Sequence, residues 1–206
     1  MTDVYAELAR LGTATVHEAA RRAAVVDVSL HQVVPGSHAA GPARTVRCGQ
    51  GDNLMAHAAV AEALPGEVLV LTMPEPAPVA LVGDLLATQA KGRGVAAMLV
   101  DAAVRDLDEL RELGLPIWAR YVRVRGAEKS APGTIGEAVE VGGATIRQGD
   151  VVVLDADGAV VVEHERVDDV LAAARERAER ERDKRAKLQA GELSYDLDGL
   201  RRLVES

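Results

Sequence analysis

An aspartate and an Arg-Asp pair stand at the ends of two neighbouring apolar runs. Asp84 follows "PVALVG" (78–83), and Arg105-Asp106 follow the run that begins with "VAAMLVD" (95–101). Carboxylates suit a hard divalent cation, and a guanidinium binds an anion or stabilises developing negative charge. These residue types together predict a site for metal-assisted chemistry on a small acid.

The strands that lead to these residues are predicted to lie side by side. Each apolar run is typical of a strand, and a short helix beginning at Asp84 connects them. In a strand–helix–strand unit the carboxyl ends of both strands meet at one edge of the sheet, where ligands usually bind. We expect Gly83 and the amides of Leu85 and Leu86, at the positive end of the helix, to contact the substrate and hold its carboxylate.

Both aspartates also fit a simpler role as helix caps. Aspartate is a preferred residue at a helix start, where its side chain accepts otherwise unpaired backbone N–H groups. Two acids, one guanidinium and helix amides in a single crevice favour the binding role instead. That set suits a 2-oxo acid, because a metal can chelate its keto and carboxylate oxygens while Arg105 stabilises the enolate.

The composition bounds the fold and argues against several functions. With 206 residues, 48% of them apolar, the chain is long enough for one domain with a large core, built mostly of Val, Leu and Ala because Phe is absent. A net charge of −8 and the scarcity of aromatic rings argue against a nucleic-acid partner. Cys48 is the only cysteine, and no apolar run approaches the roughly 20 residues that span a bilayer. We expect a soluble, cytoplasmic protein with no membrane partner.

The pattern along the chain predicts an α/β domain followed by a long helix. Strand and helix signals alternate between residues 43 and 124, which is typical of a sheet covered by helices. After residue 130, glycine turns between Val-rich runs predict antiparallel hairpins. Residues 166–190 are predicted to form a helix with an apolar stripe in its first half and almost only charged residues in its second. That helix is either a solvated surface element or a projection onto a neighbouring subunit.

Local signals also predict where helices begin. Residues 3–11 favour a helix, and Thr13 or Thr15 is expected to cap a second helix over residues 13–23. Asp52 is expected to cap a further helix, which Pro65-Gly66 ends. His57 shares a face of that helix with apolar residues, so we interpret it as a core or interface histidine, and the five histidines lack the spacing of metal ligands.

The sequence resembles the class II pyruvate aldolases of the 4-hydroxy-4-methyl-2-oxoglutarate / 4-carboxy-4-hydroxy-2-oxoadipate aldolase family. The same superfamily contains the regulators of ribonuclease activity A. The family's signature of Asp, twenty residues and Arg-Asp matches Asp84 and Arg105-Asp106, and "GDLLA" (83–87) agrees with it. The similarity covers nearly the whole chain, including "TATVHEA" (13–19), "GPARTV" (41–46), "DNLMAHAAVAEALPGEVLVL" (52–71), "VGGATIRQGDVVVLDADGAVVV" (141–162) and "RAKLQAGELS" (185–194).

The resemblance implies a compact α/β/β/α sandwich over residues 1–165, with a helix and tail (166–206) that pack on a neighbouring subunit of a trimer or hexamer. It implies Mg²⁺ or Mn²⁺, with Asp106 as the direct ligand and Asp84 holding water at the metal. It also implies that an acid from a neighbouring subunit completes the site. Judged by its distance from "AGELS", that acid is Glu181, with Glu179 as the alternative.

The resemblance further implies an enzyme that cleaves a 4-hydroxy-2-oxo acid, such as 4-hydroxy-4-methyl-2-oxoglutarate, to pyruvate and a second oxo compound. Oxaloacetate decarboxylation is expected as a side activity, because it passes through the same pyruvate enolate. Two positions depart from the family, Ala102 where glycine is common and Asp198 where tyrosine is common. The alternative is a non-catalytic regulator that binds ribonuclease or helicase surfaces, although such a protein needs no metal pocket.

Overall fold

The structure, a computed structural model, describes residues 4–21 and 24–205. Within these ranges most of the predicted helices and strands are present, with some shifted ends. The helices are α1 (Val4–Leu11), α2 (Thr13–Ala19), α3 (Leu54–Glu62), α4 (Asp84–Gly92), α5 (Leu107–Leu113), α6 (Val167–Gln189), α7 (Ser194–Leu197) and α8 (Arg201–Val204). The strands are β1 (Ala24–Val25), β2 (His31–Gln32), β3 (Ala39–Arg47), β4 (Val68–Thr72), β5 (Ala80–Val82), β6 (Ala97–Val104), β7 (Ile117–Val122), β8 (Thr134–Ile135), β9 (Val139–Val141), β10 (Ala144–Ile146), β11 (Val151–Asp155) and β12 (Gly158–Val162).

One large sheet contains a parallel half and an antiparallel half. Its strand order is β1-β12-β11-β3-β4-β6-β7-β2, with β5 paired to β6 and β8 paired to β3. Strands β3, β4, β6 and β7 are parallel, as the alternating strand and helix signals predict. Strands β11 and β12 form an antiparallel hairpin, and β9 and β10 form a separate one, as the glycine turns after residue 130 predict.

The sheet curls so that its two halves face each other. Trp118 of β7 donates a hydrogen bond from its indole nitrogen to the carbonyl oxygen of Asp155, at the end of β11, over 2.7 Å. Three strands separate β7 from β11 in the sheet order, so this contact requires the sheet to fold over. Between the halves lies a buried cluster that includes Val70, Leu99 and Leu154.

Two further apolar clusters attach helices to the outer faces of the curled sheet. Helices α3, α4 and α5 cover the parallel half through a cluster that includes Leu69, Val100 and Leu110. Helices α1, α2 and the start of α6 cover the antiparallel half through a cluster that includes Leu8 and Leu171. The order of layers is therefore helix, sheet, sheet, helix, which confirms the α/β/β/α fold.

The start of α2 differs from the prediction. Gly12 is the residue before the helix, and neither Thr13 nor Thr15 caps it through its side chain. Thr13 instead donates its amide and its hydroxyl to the two carboxylate oxygens of Asp155, each over 2.7 Å. A carboxylate from a distant strand thus occupies the positive end of α2, which sequence spacing alone did not indicate. The helix ends at Ala19, and residues 22–23 of the predicted segment lie outside the described residues, as does residue 3 of the first helix.

The first half of α6 packs into the apolar core of its own chain, whereas the second half contacts its own chain through ion pairs, such as Lys184 with Asp198 over 2.6 Å. Val167, Val170, Leu171 and Ala174 are buried, which confirms the predicted apolar stripe at those positions. Beyond them the helix is mostly exposed, and Arg177 pairs with Glu181 over 2.8 Å. In the described part of the chain, no helix is both long and apolar enough to cross a membrane.

A buried ion pair lies in β6 just before the predicted site. Asp101 is 3% exposed and accepts a hydrogen bond of 2.5 Å from Nε of Arg120 on β7. The pairing of β6 with β7 shifts register between Val100 and Ala103, so Asp101 stands at an irregularity of the strand. Burial raises the pKa of Asp101, and the hydrogen bond and charge of Arg120 only partly oppose this rise. The pair therefore anchors the end of β6 that leads to Arg105.

We predict that Arg120→Met lowers the free energy of unfolding by about 2–3 kcal/mol at neutral pH, because it leaves a buried carboxylate without its partner. The pKa of Asp101 is higher in the folded than in the unfolded chain, so protonation favours the folded state and stability falls as pH rises through the folded pKa. The loss should therefore be smaller at an acidic pH, where the carboxyl without Arg120 is protonated, than at neutral pH, as urea unfolding at the two pH values would show.

The double variant Asp101→Asn/Arg120→Met is the control for this experiment. It removes both charges and should recover most of the stability that Arg120→Met loses. An equal loss at both pH values, with no recovery in the double variant, would show that Arg120 contributes through packing rather than through the ion pair.

Candidate active site

Asp84 and Asp106 lie at the same edge of the sheet, each two residues after the end of a strand. Strands β5 and β6 are parallel neighbours joined by α4, and they end at Val82 and Val104, which are partners after a register shift that follows Ala80. The amide of Arg105 donates to the carbonyl oxygen of Val82 over 3.1 Å, so the two strand ends are bonded to each other. The predicted convergence of these two positions is therefore observed.

Asp106 does not cap the helix that follows it. Its backbone adopts the left-handed conformation, with φ 61° and ψ 50°, and its side chain makes no capping bond to α5. Its Oδ2 instead accepts the amide of Asp84, the first residue of α4, over 3.2 Å, and lies 3.5 Å from Nε of Arg105. Gly83 is the residue before α4, so Asp84 is not a cap of its own helix either. Neither aspartate therefore caps the helix that it was predicted to cap, although Asp106 accepts the first amide of α4.

Glycines permit the close approach of these groups. A Cβ on Gly83 would lie 2.4 Å from Oδ2 of Asp106 and 3.2 Å from Nε of Arg105. A Cβ on Gly126 would lie 2.8 Å from Nη1 of the same arginine. The requirement at both glycines is for space, because neither has a positive φ. Arg105 is thus held between two backbone segments.

Gly83 and Arg105 border a small cavity of about 130 Å³, which we call the Arg105 cavity. It is well below the roughly 300–1,000 Å³ of sites for drug-sized ligands, so a small acid suits it. The first hydrogen bond inside α4 runs from the amide of Ala87 to the carbonyl of Gly83, so the amides of Leu85 and Leu86 have no partner within the helix. The lining residues are Asn53, His57, Gly83, Asp84, Leu85, Leu86, Arg105 and Lys129.

Three of the lining residues were not predicted as site residues. Asn53 and His57 come from the start of α3, and Lys129 comes from the loop after β7. Nδ2 of Asn53 donates to the carbonyl of Leu81 over 2.8 Å, while its buried Oδ1 has no hydrogen-bond partner among the described residues. A buried acceptor without a partner indicates a place for a donor from a ligand or water. The sequence predicts His57 as a core or interface residue, because its neighbours on the same face of α3 are apolar. The structure places it in the lining of the cavity.

The cavity combines acidic and basic groups with a neutral histidine. Burial lowers the pKa of His57, and the positive charge of Lys129 lowers it further, so the imidazole is uncharged near neutral pH. Arg105 and Lys129 contribute positive charge to the lining, Asp84 contributes negative charge, and the Asp106 carboxylate lies 3.5 Å from Nε of Arg105. Such a set can bind an anion and a cation next to each other.

The donor set fits a cation that retains much of its water. The described residues contain no group of three or more His, Cys, Asp or Glu side chains arranged around a metal position. Mg²⁺ usually takes one or two carboxylates and fills its remaining positions with water and substrate oxygens. Two carboxylates, those of Asp84 and Asp106, meet that requirement.

Glu181 does not reach the Arg105 cavity of its own chain. It lies on α6, outside the antiparallel half of the sheet, whereas α3 and α4 lie outside the parallel half. Its carboxylate pairs with Arg177 over 2.8 Å, and Glu179 is exposed on the same helix. The expectation that one of these acids acts in a neighbouring subunit remains a prediction.

Other candidate positions are less suited to chemistry. A larger depression of about 440 Å³ lies beside Arg147 and His164. Its buried acid, Asp150, already accepts the amides of these two residues over 2.8 and 3.3 Å. Cys48 is buried, and burial raises the pKa of its thiol to about 12, so it is not a nucleophile.

The structure is thus an α/β/β/α protein with a small, charged cavity at the edge of its parallel strands. The RraA-like family, described as Aldolase/RraA, matches residues 13–161, and the chain belongs to this family. The family includes both aldolases and RraA regulators, which confirms the resemblance recognised from the sequence.

The similar proteins include one named as an aldolase and two named as RraA proteins. A protein of Halalkalibacterium halodurans named "Putative 4-hydroxy-4-methyl-2-oxoglutarate aldolase" is 37% identical over 137 residues, which are 66% of this chain and 65% of that protein. The match therefore spans just under two thirds of that relative's length. Among solved structures, Streptomyces coelicolor RraAS2, an unusual member of the RNase ES inhibitor RraA protein family, is 29% identical, with a TM-score of 0.79 over 90% of this chain and 96% of that one. The RNA-processing inhibitor RraA from Thermus thermophilis is 25% identical, with a TM-score of 0.68 over 73% and 91% of the two chains.

We predict that Gly83→Ala lowers the affinity of the Arg105 cavity for Mn²⁺ by about 10–100-fold, because the added Cβ displaces the Asp106 carboxylate from the Asp84 amide. Isothermal titration calorimetry measures this affinity. The matched control is Gly92→Ala at the end of α4, where a Cβ meets nothing within 4 Å. Equal Mn²⁺ affinity in the two variants would contradict the proposed role of Asp106.

Proposed function

We propose that the chain is a divalent-metal-dependent lyase that cleaves 4-hydroxy-2-oxo acids, such as 4-hydroxy-4-methyl-2-oxoglutarate, to pyruvate and a second oxo compound. The observation that carries this proposal is the contact of Asp106 with both the Asp84 amide and Arg105, at the edge of two parallel strands. The aldolase name of the 37% identical relative supports the same reaction class.

Mg²⁺ or Mn²⁺ is the proposed cofactor, held directly by Asp106 and through water by Asp84. When bound there, the cation supplies Lewis acidity at the 2-oxo group. The carboxylates of this chain contribute the negative charge that a hard cation requires. Gly83 keeps the space that lets Asp106 face Asp84 and Arg105 together.

The remaining groups of the Arg105 cavity bind and orient the substrate. The amides of Leu85 and Leu86, at the positive end of α4, hold the carboxylate next to the 2-oxo group. Lys129 is suited to the carboxylate at the other end of the molecule, because it contributes positive charge to the same cavity. The unpaired Oδ1 of Asn53 accepts a hydrogen bond from the 4-hydroxyl group or from a water beside it.

The proposed reaction begins with loss of the proton from the 4-hydroxyl group to water that Asp84 orients. The C3–C4 bond then breaks, a carbonyl forms at C4, and the electron pair is delocalised into the enolate of pyruvate. Arg105 stabilises the negative charge on the enolate oxygen, and C3 then takes a proton from water to give the methyl group of pyruvate. Loss of CO₂ from oxaloacetate generates the same enolate, so we propose that decarboxylation is a side activity.

We propose that the active unit is a homotrimer or homohexamer in which residues 166–206 pack on a neighbouring subunit. The exposed, charged second half of α6 supports this arrangement, because it has no apolar face to bury against its own chain. Glu181, or alternatively Glu179, would then orient water in the partner's cavity. Such a shared site requires a closed ring in which each chain meets a different neighbour.

The direct test is a screen of 4-hydroxy-2-oxo acids with Mg²⁺ and Mn²⁺, coupled to the detection of pyruvate. We expect metal-dependent release of pyruvate that a chelator abolishes and added metal restores. If no pyruvate is released from any of the acids with either metal, the proposed activity is contradicted.

In the same assay, we expect Arg105→Lys to lower kcat by roughly 100-fold or more, since lysine keeps the charge but loses the planar fork that faces the enolate oxygen. Arg111→Lys on α5 is the matched control, because Arg105 and Arg111 are each 48% exposed and Arg111 is not part of the cavity lining. A loss confined to KM would mean that Arg105 binds the substrate without favouring the transition state.

A second candidate function is regulation of a ribonuclease by protein–protein binding. It is supported by the similarity to RraAS2, which extends over 90% of this chain. Binding to a ribonuclease without metal-dependent release of pyruvate would favour this function. A binding module has no need for the contacts among Asp84, Arg105 and Asp106, so we place it second.

The shared site predicts complementation between two inactive variants. Asp106→Ala and Glu181→Ala should each lose most activity alone, because one lacks the metal ligand and the other lacks the partner's acid. Mixing them under conditions of subunit exchange should restore activity at interfaces that combine an intact Asp106 with an intact Glu181. Pyruvate release, measured before and after exchange, reports the gain.

Glu176→Ala is the control on the same helix, since Glu176 is mostly exposed and pairs only with Arg180 among its described ion pairs. It should remain active alone. Full activity of Glu181→Ala, with no gain on mixing despite demonstrated exchange, would mean that the site is built within one chain. Glu179→Ala then tests the alternative acid.

A further inference from the structure

Asp52 is a buried carboxylate that the proposed reaction does not use. It is 1% exposed and lies immediately before Asn53, at the start of α3. Its Oδ1 accepts the amide of Leu54 over 2.8 Å, which supports the first turn of the helix. This contact is the helix-start role that the sequence predicts for Asp52.

The other carboxylate oxygen reaches a distant loop. Oδ2 of Asp52 accepts the amide of Ser130 over 2.6 Å and the amide of Ala131 over 2.9 Å. The hydroxyl of Ser130 lies within 3.4 Å of the same oxygen. One carboxylate therefore joins the start of α3 to a segment 78 and 79 residues further along the chain.

Backbone contacts extend this junction to the residue before Lys129. The amide of Asn53 donates to the carbonyl of Glu128, and the amide of Glu128 donates to the carbonyl of Gly51, each over 2.9 Å. Lys129 thus lies between Glu128 and Ser130, both of which are bonded to residues 51–53. The backbone on either side of Lys129 is held, although its side chain is exposed.

The hydrogen bonds to Asp52 are strong enough to offset the cost of its burial. Burial alone would raise the pKa of this carboxyl, but the amides of Ser130, Leu54 and Ala131 together lower it below its usual value. The carboxylate is therefore charged at neutral pH and accepts hydrogen bonds without competing as a donor.

We propose that Asp52 is a positioning residue for substrate selection, because it fixes both Asn53 and Lys129 against the Arg105 cavity. The inference rests on the proposed function, in which these two residues bind the part of the substrate beyond the 2-oxo acid group. Asp52 touches neither substrate nor metal. It affects the reaction only by holding Asn53 and Lys129 in position.

The test compares two variants of Asp52 with Lys129→Met. Asp52→Asn replaces an acceptor with an NH₂ group that faces N–H donors. Asp52→Ser has one short acceptor, which retains the bond to the Leu54 amide but cannot reach residues 130–131. We expect both variants to raise KM for 4-hydroxy-4-methyl-2-oxoglutarate about tenfold with kcat changed less than about twofold. Ser130→Ala, which loses only the 3.4 Å contact, is the control and should behave as the parent.

Two comparisons distinguish positioning from general damage. Inhibition by oxalate, a short analogue of the enolate that does not extend to Lys129, should be unchanged in all variants. Asp52→Asn combined with Lys129→Met should lose less than the two single variants together, because both act on the Lys129 contact and only the effect through Asn53 adds to it. Equal weakening of oxalate and substrate, or additive losses in the double variant, would overturn the proposal.

Hydrogen exchange tests the junction without any assay of activity. In the parent protein, the amides of Ser130 and Ala131 should exchange slowly although Ser130 is exposed, and Asp52→Ser should speed both at least about tenfold. Fast exchange in the parent overturns the proposal even if neither variant folds. If the parent releases no pyruvate but these amides are protected as expected, it is the proposed function that fails and not the junction.

Discussion

The hydrogen bond from the Asp84 amide to the Asp106 carboxylate joins the two loops on which the candidate site depends. It forms only because Gly83 leaves room for the carboxylate and because Asp106 adopts the left-handed conformation. That conformation costs about 1–2 kcal/mol for most residues, and aspartate tolerates it better than most. A carboxylate at a helix start contributes about 0.3–1 kcal/mol. Local terms alone therefore do not favour this geometry, and the surrounding sheet must hold it, as is common at functional sites.

Two buried carboxylates hold the segments around the site in place. Asp101 and Arg120 anchor the irregular end of β6, from which Arg105 and Asp106 emerge. Asp52 anchors the part of the cavity lining where the start of α3 meets the loop that carries Lys129. Both are buried carboxylates, but their pKa values move in opposite directions. Burial dominates at Asp101 and raises its pKa, whereas backbone donors around Asp52 outweigh burial and lower it.

The parts of the fold that follow from local pattern were predictable. Alternating strand and helix signals indicated the parallel half, and glycine turns indicated the antiparallel hairpins. The Asp84 and Arg105-Asp106 positions followed from the rule that carboxyl ends of parallel strands meet. The left-handed backbone of Asp106 and the cap that Asp155 provides to α2 were not predictable, since both depend on contacts between residues far apart in sequence. Asn53 and Lys129 were missed for the same reason, because neither stands beside the signature along the chain.

The exposure of the site bears on the proposed contribution of a second chain. Leu85, at the edge of the Arg105 cavity, is 81% exposed, so one subunit alone leaves the cavity open to water. An enolate is stabilised best in a site from which bulk water is excluded, because low polarity strengthens the interaction with Arg105. Covering Leu85 with another surface would remove its apolar side chain from water, which is favourable. The charged half of α6 is a second exposed surface, because its contacts with its own chain are ion pairs and not apolar packing. In the proposed oligomer, the second half of α6 from a neighbouring chain would cover Leu85 and bring Glu181 to the cavity, where its carboxylate would act together with Asp84 and Asp106 on water beside the substrate.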